Sequence, residues 1–296
     1  LGGISNNSYY HSFQIQEFRR PEFEVIARNE TTGPYFIDDE AVVAVEASYF
    51  AGGPLPNAET NWLVSFSPTN YSPPNWPDFT FGTWTPWWYF GGFYEVGYWD
   101  GPPNSGMTYE TFAGRTDASG NNYLRIGFQN TGEPRPYSIQ AQATVMDVNR
   151  QAWAGATNLL VHPADLYVGM RTERYYVDRN TPIDVDLIVT DLDGNAVANT
   201  PVTVQAARME WKYQSGEWQE VPIEIQECQI SSESEPVTCT FETPIGGKYQ
   251  ITAVVTDELG RQNQSQMDRW VSGGELPPAR EVEQEDAALI PVSYTH

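Results

Sequence analysis

Along most of the chain, apolar and polar residues alternate one by one. Glu40-Ala-Val-Val-Ala-Val-Glu-Ala-Ser-Tyr49, Ile183-Asp-Val-Asp-Leu-Ile-Val-Thr190, Val202-Thr-Val-Gln205 and Tyr249-Gln-Ile-Thr-Ala-Val-Val255 all follow this pattern. A period of two belongs to a strand with one face in a core and the other toward water. No stretch keeps a helical period for three turns, so an all-β chain is expected. Its 296 residues exceed one immunoglobulin-like sandwich of roughly 100 residues and suffice for two.

The chain also repeats itself. Tyr35-Phe36-Ile37-Asp38 returns as Tyr175-Tyr176-Val177-Asp178, each leading into an alternating strand. Gly52, Leu55 and Asn57 return at the same internal spacing as Gly194, Val197 and Asn199. Tyr137-Ser-Ile139 with Arg150-Gln151 returns as Tyr249-Gln-Ile251 with Arg261-Gln262, which reads as a terminal hairpin. A repeat at this period means two copies of one structural unit, so tandem antiparallel sandwiches are expected.

Turn chemistry punctuates both copies. Thr116-Asp117-Ala-Ser-Gly120, Thr190-Asp191-Leu-Asp-Gly194 and Thr256-Asp257-Glu-Leu-Gly260 share one pattern. The Asp side chain bonds the backbone just beyond it and Gly takes the positive φ, which suits short hairpin loops. The expected units are 21–161 and 162–273, meeting at His162-Pro163. Residues 1–20, with Tyr10-His-Ser-Phe-Gln-Ile-Gln-Glu-Phe18, are expected to be the terminal strand of a preceding domain or a tail. Residues 274–296 are charged and proline-bearing, as a linker toward a further domain would be.

Charge narrows the partners. Sixteen Lys and Arg face 39 Asp and Glu, for a net charge of −23. Nucleic acid and anionic lipid are poor partners for such a surface. No apolar run reaches the roughly 18–20 residues that span a bilayer. Cys228 and Cys239 flank the segment from Gln229 to Thr238, a spacing that suits a hairpin bringing two thiols together. A disulfide closing so short a loop is worth about 3 kcal/mol. It would imply an oxidising compartment, extracellular or periplasmic; two free buried thiols are the alternative. The three histidines, His11, His162 and His296, are too scattered to join the cysteines in a zinc site.

At Phe13-Gln-Ile-Gln-Glu-Phe-Arg-Arg-Pro-Glu-Phe-Glu-Val25 the chain resembles the junction between successive domains of alpha-2-macroglobulin-like proteins. Ala47-Ser-Tyr-Phe-Ala-Gly-Gly-Pro-Leu-Pro-Asn-Ala58 is similar to the strand and turn that follow there. Val161-His-Pro-Ala-Asp-Leu-Tyr-Val168 and Arg269-Trp-Val-Ser-Gly-Gly274 resemble junctions of bacterial members. The resemblance implies macroglobulin-type sandwiches within a secreted or periplasmic inhibitor of endopeptidases. In that family a cut in a bait segment triggers enclosure of the protease, and many members tether it through a thioester in Cys-x-Glu-Gln. Cys228-Gln-Ile-Ser, Cys239-Thr-Phe-Glu and Val282-Glu-Gln-Glu do not match that motif. The expected role is therefore scaffold, with neighbouring macroglobulin domains as partners and proteases met only through a longer parent protein.

The least ordinary segment runs from Tyr71 to Trp99, inside an insertion expected at about 66–107, and holds 13 aromatic residues. Trp76, Trp84, Trp87, Trp88 and Trp99 are candidate interface residues. They could pack over the first sandwich as a satellite core, join two macroglobulin domains, or offer flat faces to sugars or a partner protein in a binding module. Asp191-Leu-Asp-Gly-Asn195 has the start of a calcium loop, but Val202 stands where the bidentate Glu belongs, so a turn is expected. No nucleophile has an evident base, and no pair of carboxylates stands out. No catalytic, cofactor or metal site is expected.

Overall fold

In a computed structural model of the chain, the described residues are 22–83, 108–129, 134–214 and 217–273. The expected strand at 10–18 and the linker at 274–296 lie outside them, as do Trp84, Trp87, Trp88 and Trp99. The described part is all strand and turn. The first half holds β1 (Phe23–Asn29), β2 (Tyr35–Phe36), β3 (Glu40–Tyr49), β4 (Glu59–Pro68), β5 (Thr80–Phe81), β6 (Thr108–Arg115), β7 (Asn121–Gly127), β8 (Tyr137–Met146) and β9 (Ala152–His162). The second holds β10 (Tyr167–Arg171), β11 (Tyr176–Val177), β12 (Ile183–Thr190), β13 (Pro201–Gln214), β14 (Glu217–Ser231), β15 (Val237–Phe241), β16 (Gly247–Thr256) and β17 (Gln262–Val271).

The alternating stretches became strands. Glu40–Tyr49 and Ile183–Thr190 are β3 and β12, while Val202 and Tyr249 sit in β13 and β16. The sheets duplicate one another strand for strand. A five-stranded sheet ordered β2-β9-β8-β4-β6 faces the three-stranded sheet β1-β3-β7. In the second half, β11-β17-β16-β13-β14 faces β15-β12-β10 in the same order, and β5 from the first half joins the β10 edge as a fourth strand. Each sandwich closes on its own apolar core. Val43, Trp62, Ile139 and Val145 belong to the first, and Val185, Val204, Phe241 and Ile251 to the second.

The Thr-Asp-x-x-Gly segments are turns. In each, the Asp amide donates to the carbonyl four residues on and the Gly amide donates back to the Asp carbonyl. Gly120, Gly194 and Gly260 take φ of 81°, 79° and 80°. A fourth turn of the same build, at Asp147, was hidden because Arg150 holds the left-handed position at φ 60°. Arg150 therefore corresponds to Gly260, and the sequence match of Arg150 to Arg261 is one residue out of register. The Asp147 and Asp257 turns close hairpins within a sheet, whereas those at Asp117 and Asp191 carry the chain from one sheet to the other.

The cysteines do form a disulfide, with Cα atoms 6.2 Å apart. It does not bridge a hairpin, however. Cys228 lies on β14 of the five-stranded sheet and Cys239 on β15 of the opposite sheet, so the bond ties the two layers together at an edge. The turn at Ser232 changes sheets, a switch that spacing alone cannot reveal.

Candidate functional site

The feature that sets this chain apart from two independent sandwiches is the seam between them. After β4 the chain leaves the first sandwich, crosses the face of the second and sets β5 beside β10. Gly169 pairs with Phe81 and Met170 with Thr80. Phe79 and Phe81 bury themselves on Tyr167 and Ile188, with Tyr71, Trp76, Leu192 and Ala196 around them. This third core explains why β10 and the end of β12 are buried on both faces. Alternation alone would have left Ile188 in water, but the crossing segment covers it.

Close approach depends on two glycines. A Cβ on Gly169 would lie 2.6 Å from Phe81 Cζ. At Gly194 the positive φ already favours glycine, and a Cβ there would run into the Pro74 carbonyl. Hydrogen bonds lock the same contacts. The Tyr71 hydroxyl donates to the Leu192 carbonyl at 2.7 Å, and the Trp76 indole donates to the Gly194 carbonyl at 3.0 Å. Farther along, the Gly82 amide donates to Ser265 Oγ at 2.7 Å, while the Gln266 amide donates to the Gly82 carbonyl at 2.9 Å.

The joint itself is aromatic. His162 is buried, with Nδ1 2.7 Å from the Tyr167 hydroxyl and the Tyr71 ring 4.9 Å away edge-on. Burial disfavours the imidazolium and pulls the His162 pKa down to about 4. Burial likewise raises that of Tyr167, reinforced by Tyr71. On the far side Arg261 lays its guanidinium 4.0 Å over the Phe36 ring. Its Nε meets Asp257 at 2.7 Å and its Nη2 meets Asp165 at 3.3 Å. Burial alone would raise the Asp257 pKa, but the Arg261 amide and guanidinium outweigh it and hold the group low. Burial and the nearby Asp257 charge push Asp165 up.

Of the five candidate tryptophans, Trp76 is described, and it lies between the sandwiches. Trp84, Trp87, Trp88 and Trp99 fall outside the described residues. Sequence reasoning did not single out Phe79 and Phe81, whose partners Tyr167 and Ile188 come from the other copy, and it placed His162 at the junction without its ring partners Phe36, Tyr71 and Tyr167. Asp191 acts as a turn residue, its Oδ1 accepting the Asn195 amide at 2.8 Å. Among the described residues no cluster of metal-binding side chains occurs, and no helix is long and apolar enough to cross a membrane.

No family model matches the chain. It is 29% identical over 206 residues to Circularly permutated Ras protein 2 of Dictyostelium discoideum, a match covering 65% of this chain and 5% of that protein. It is 21% identical over 273 residues to an Alpha-2-macroglobulin homolog of a Nostoc species, covering 88% of this chain and 13% of that protein. The native conformation of E. coli alpha-2-macroglobulin matches 90% of this chain with 17% of its own length, at TM-score 0.59 and 15% identity. The trypsin-activated E. coli protein matches 87% of the chain at the same TM-score and identity. A Salmonella alpha-2-macroglobulin mutant matches 86% at TM-score 0.57. The chain thus has the fold of a stretch of bacterial alpha-2-macroglobulin, as its junction motifs implied, and spans a small fraction of each relative.

Proposed function

We propose that this chain is a scaffold segment of a secreted or periplasmic alpha-2-macroglobulin-like inhibitor of endopeptidases. In this reading residues 21–161 and 162–273 are its two macroglobulin domains, and neither contains a bait region, a thioester or an active site. Residues 1–20 belong to a preceding domain or a tail, and 274–296 lead toward a further domain. The observation that carries the reading is β5: a strand of one sandwich completing a sheet of the next makes the pair a rigid spacer, suited to passing on a rearrangement begun elsewhere. Both cysteines are tied to each other, so neither is available as a thioester sulfur. Neighbouring sandwiches of the same chain are the direct partners, and proteases are met through the whole protein.

The alternative, a carbohydrate- or protein-binding module built on the tryptophan-rich insertion, is not favoured. Trp76, the one member of that group among the described residues, uses its N–H and ring against the second sandwich.

The test has two arms. The longer parent protein, mixed with a trypsin-like protease, is expected to protect a protein-sized substrate while a small chromogenic peptide is still cleaved. This chain alone, in excess, is expected to protect neither. Stoichiometric inhibition by this chain, or a parent without effect on either substrate, overturns the reading.

A further inference from the structure

The two copies align residue by residue, and where they differ the first sandwich is hollow. The matching turns at Asp147 and Asp257 align β8 with β16, so Ile139 corresponds to Tyr249. Through the strand pairings, Ile126 opposite Ala41 corresponds to Phe241 opposite Ile183. Phe112 opposite Trp62 corresponds to Cys228 opposite Val204, and Leu124 opposite Val43 to Cys239 opposite Val185. Glu110 opposite Val64 corresponds to Gln226 opposite Ala206.

In the second sandwich these residues close the space between the sheets. The Tyr249 and Phe241 rings are buried in its core, and the disulfide ties the layers at the edge. The Gln226 side chain spans them too, its Nε2 donating to the Glu242 carbonyl at 2.7 Å and its Oε1 accepting the Glu242 amide at 2.9 Å. In the first sandwich isoleucines replace both rings and no disulfide joins Phe112 to Leu124. Glu110 has no N–H to give, and Gly127 stands in the place of Glu242. What remains is a pit of about 330 Å³ that reaches the edge formed by β6 and β7. Val64, Ile126, Ile139 and Val161 line it, all buried. Phe66 and Phe128 add rings where the second copy has Arg208 and Thr243. This volume is within the roughly 300–1,000 Å³ of small-molecule sites, and an apolar cavity of about 150 Å³ already takes a benzene ring.

Charge at the rim narrows the ligand. Arg125 is paired with Glu40 at 3.5 Å, whereas Glu110 has no ion-pair partner among the described residues. The net charge of −23 further disfavours an anion. We propose that the pit binds a small apolar molecule with a cationic end, its ring or chain seated against Ile126 and Ile139 and its ammonium group at Glu110. The site is a property of the first sandwich and stands or falls independently of the scaffold reading.

Three probes that share one ring test it: indole, tryptamine and indole-3-acetate, titrated into this chain while isoleucine and valine methyl signals are followed by NMR. Indole and tryptamine are expected to shift the Ile126 and Ile139 methyls saturably. Tryptamine should bind about two- to fivefold tighter than indole, the worth of one exposed ion pair, and indole-3-acetate weakest. Glu110→Gln should bring tryptamine down to the affinity of indole. Ile139→Tyr, which installs the side chain of the second copy, should abolish binding, as should Ile126→Phe. An unmoved Val145 signal, from the far end of β8, shows that each variant has folded. Tryptamine no tighter than indole or indole-3-acetate, a preference that survives Glu110→Gln, or binding that survives both filling substitutions overturns the proposal. So does the absence of any saturable shift; a red-shifted tryptophan emission in ligand-free Ile139→Tyr would then give the pit to residues 84–107 of the chain itself.

Discussion

At His162 burial decides the chemistry. The folded group titrates near pH 4, below its ordinary value of 6.5, so the unfolded chain takes up the proton first. The stability this group contributes is complete above about pH 6.5 and is lost as pH falls toward 4, at up to about 1.4 kcal/mol per pH unit. Urea midpoints between pH 7 and pH 5, where few carboxylates yet titrate, should fall more steeply for the wild type than for His162→Phe; parallel curves would refute this. Gly169→Ala is expected to cost about 1–3 kcal/mol, because the new methyl meets the Phe81 ring and β5 must shift. Differential scanning calorimetry would register it as a lower melting temperature, and an unchanged one would mean that β5 yields freely. Neither role was legible beforehand. His162 was only a lone histidine at a junction, and its ring partners Phe36, Tyr71 and Tyr167 come from three places in the chain.

At the scale of elements, legibility followed locality. Strands such as β3, β12 and β16 carry their own period and were readable, as were turns whose Asp and Gly sit within five residues of one another. The turn at Asp147 escaped because an arginine occupies the position where glycine was the signal. The short β5 has no alternation to read, and its edge belongs to the other sandwich. The cysteine spacing predicted a bond but not that it joins two sheets. In the first copy the corresponding edge strands β6 and β7 carry no cysteine. A chain carrying Cys228→Ala and Cys239→Ala is expected to lose about 2–4 kcal/mol, the usual worth of a native disulfide closing a short loop. Guanidinium unfolding of oxidised and double-alanine chains measures it, and coincident transitions would show that the edge is held by packing alone.

For the whole molecule, the question is whether two sandwiches behave as one body. Independent motion is the ordinary expectation for tandem domains unless their interface is large and apolar. Here Phe79, Phe81, Tyr167 and Ile188 form a core of their own, and β5 adds a strand pairing across the boundary. A buried aromatic ring removes roughly 150–250 Å² from water, so at about 25 cal/mol per Å² the two phenylalanines alone contribute on the order of 8–12 kcal/mol before ordering costs. That gross figure is comparable with the stability of a whole domain, about 5–15 kcal/mol, so the coupling can make unfolding concerted. A single calorimetric transition is therefore expected for the chain, with calorimetric and van't Hoff enthalpies in agreement. Phe79→Ser/Phe81→Ser removes the shared core while leaving both sandwich cores untouched. It should split the transition in two, with the second sandwich melting first because β10 and Ile188 become exposed to water. Two transitions in the wild type would show that the seam is too weak for a rigid spacer, and one transition in the double variant would move the coupling away from β5.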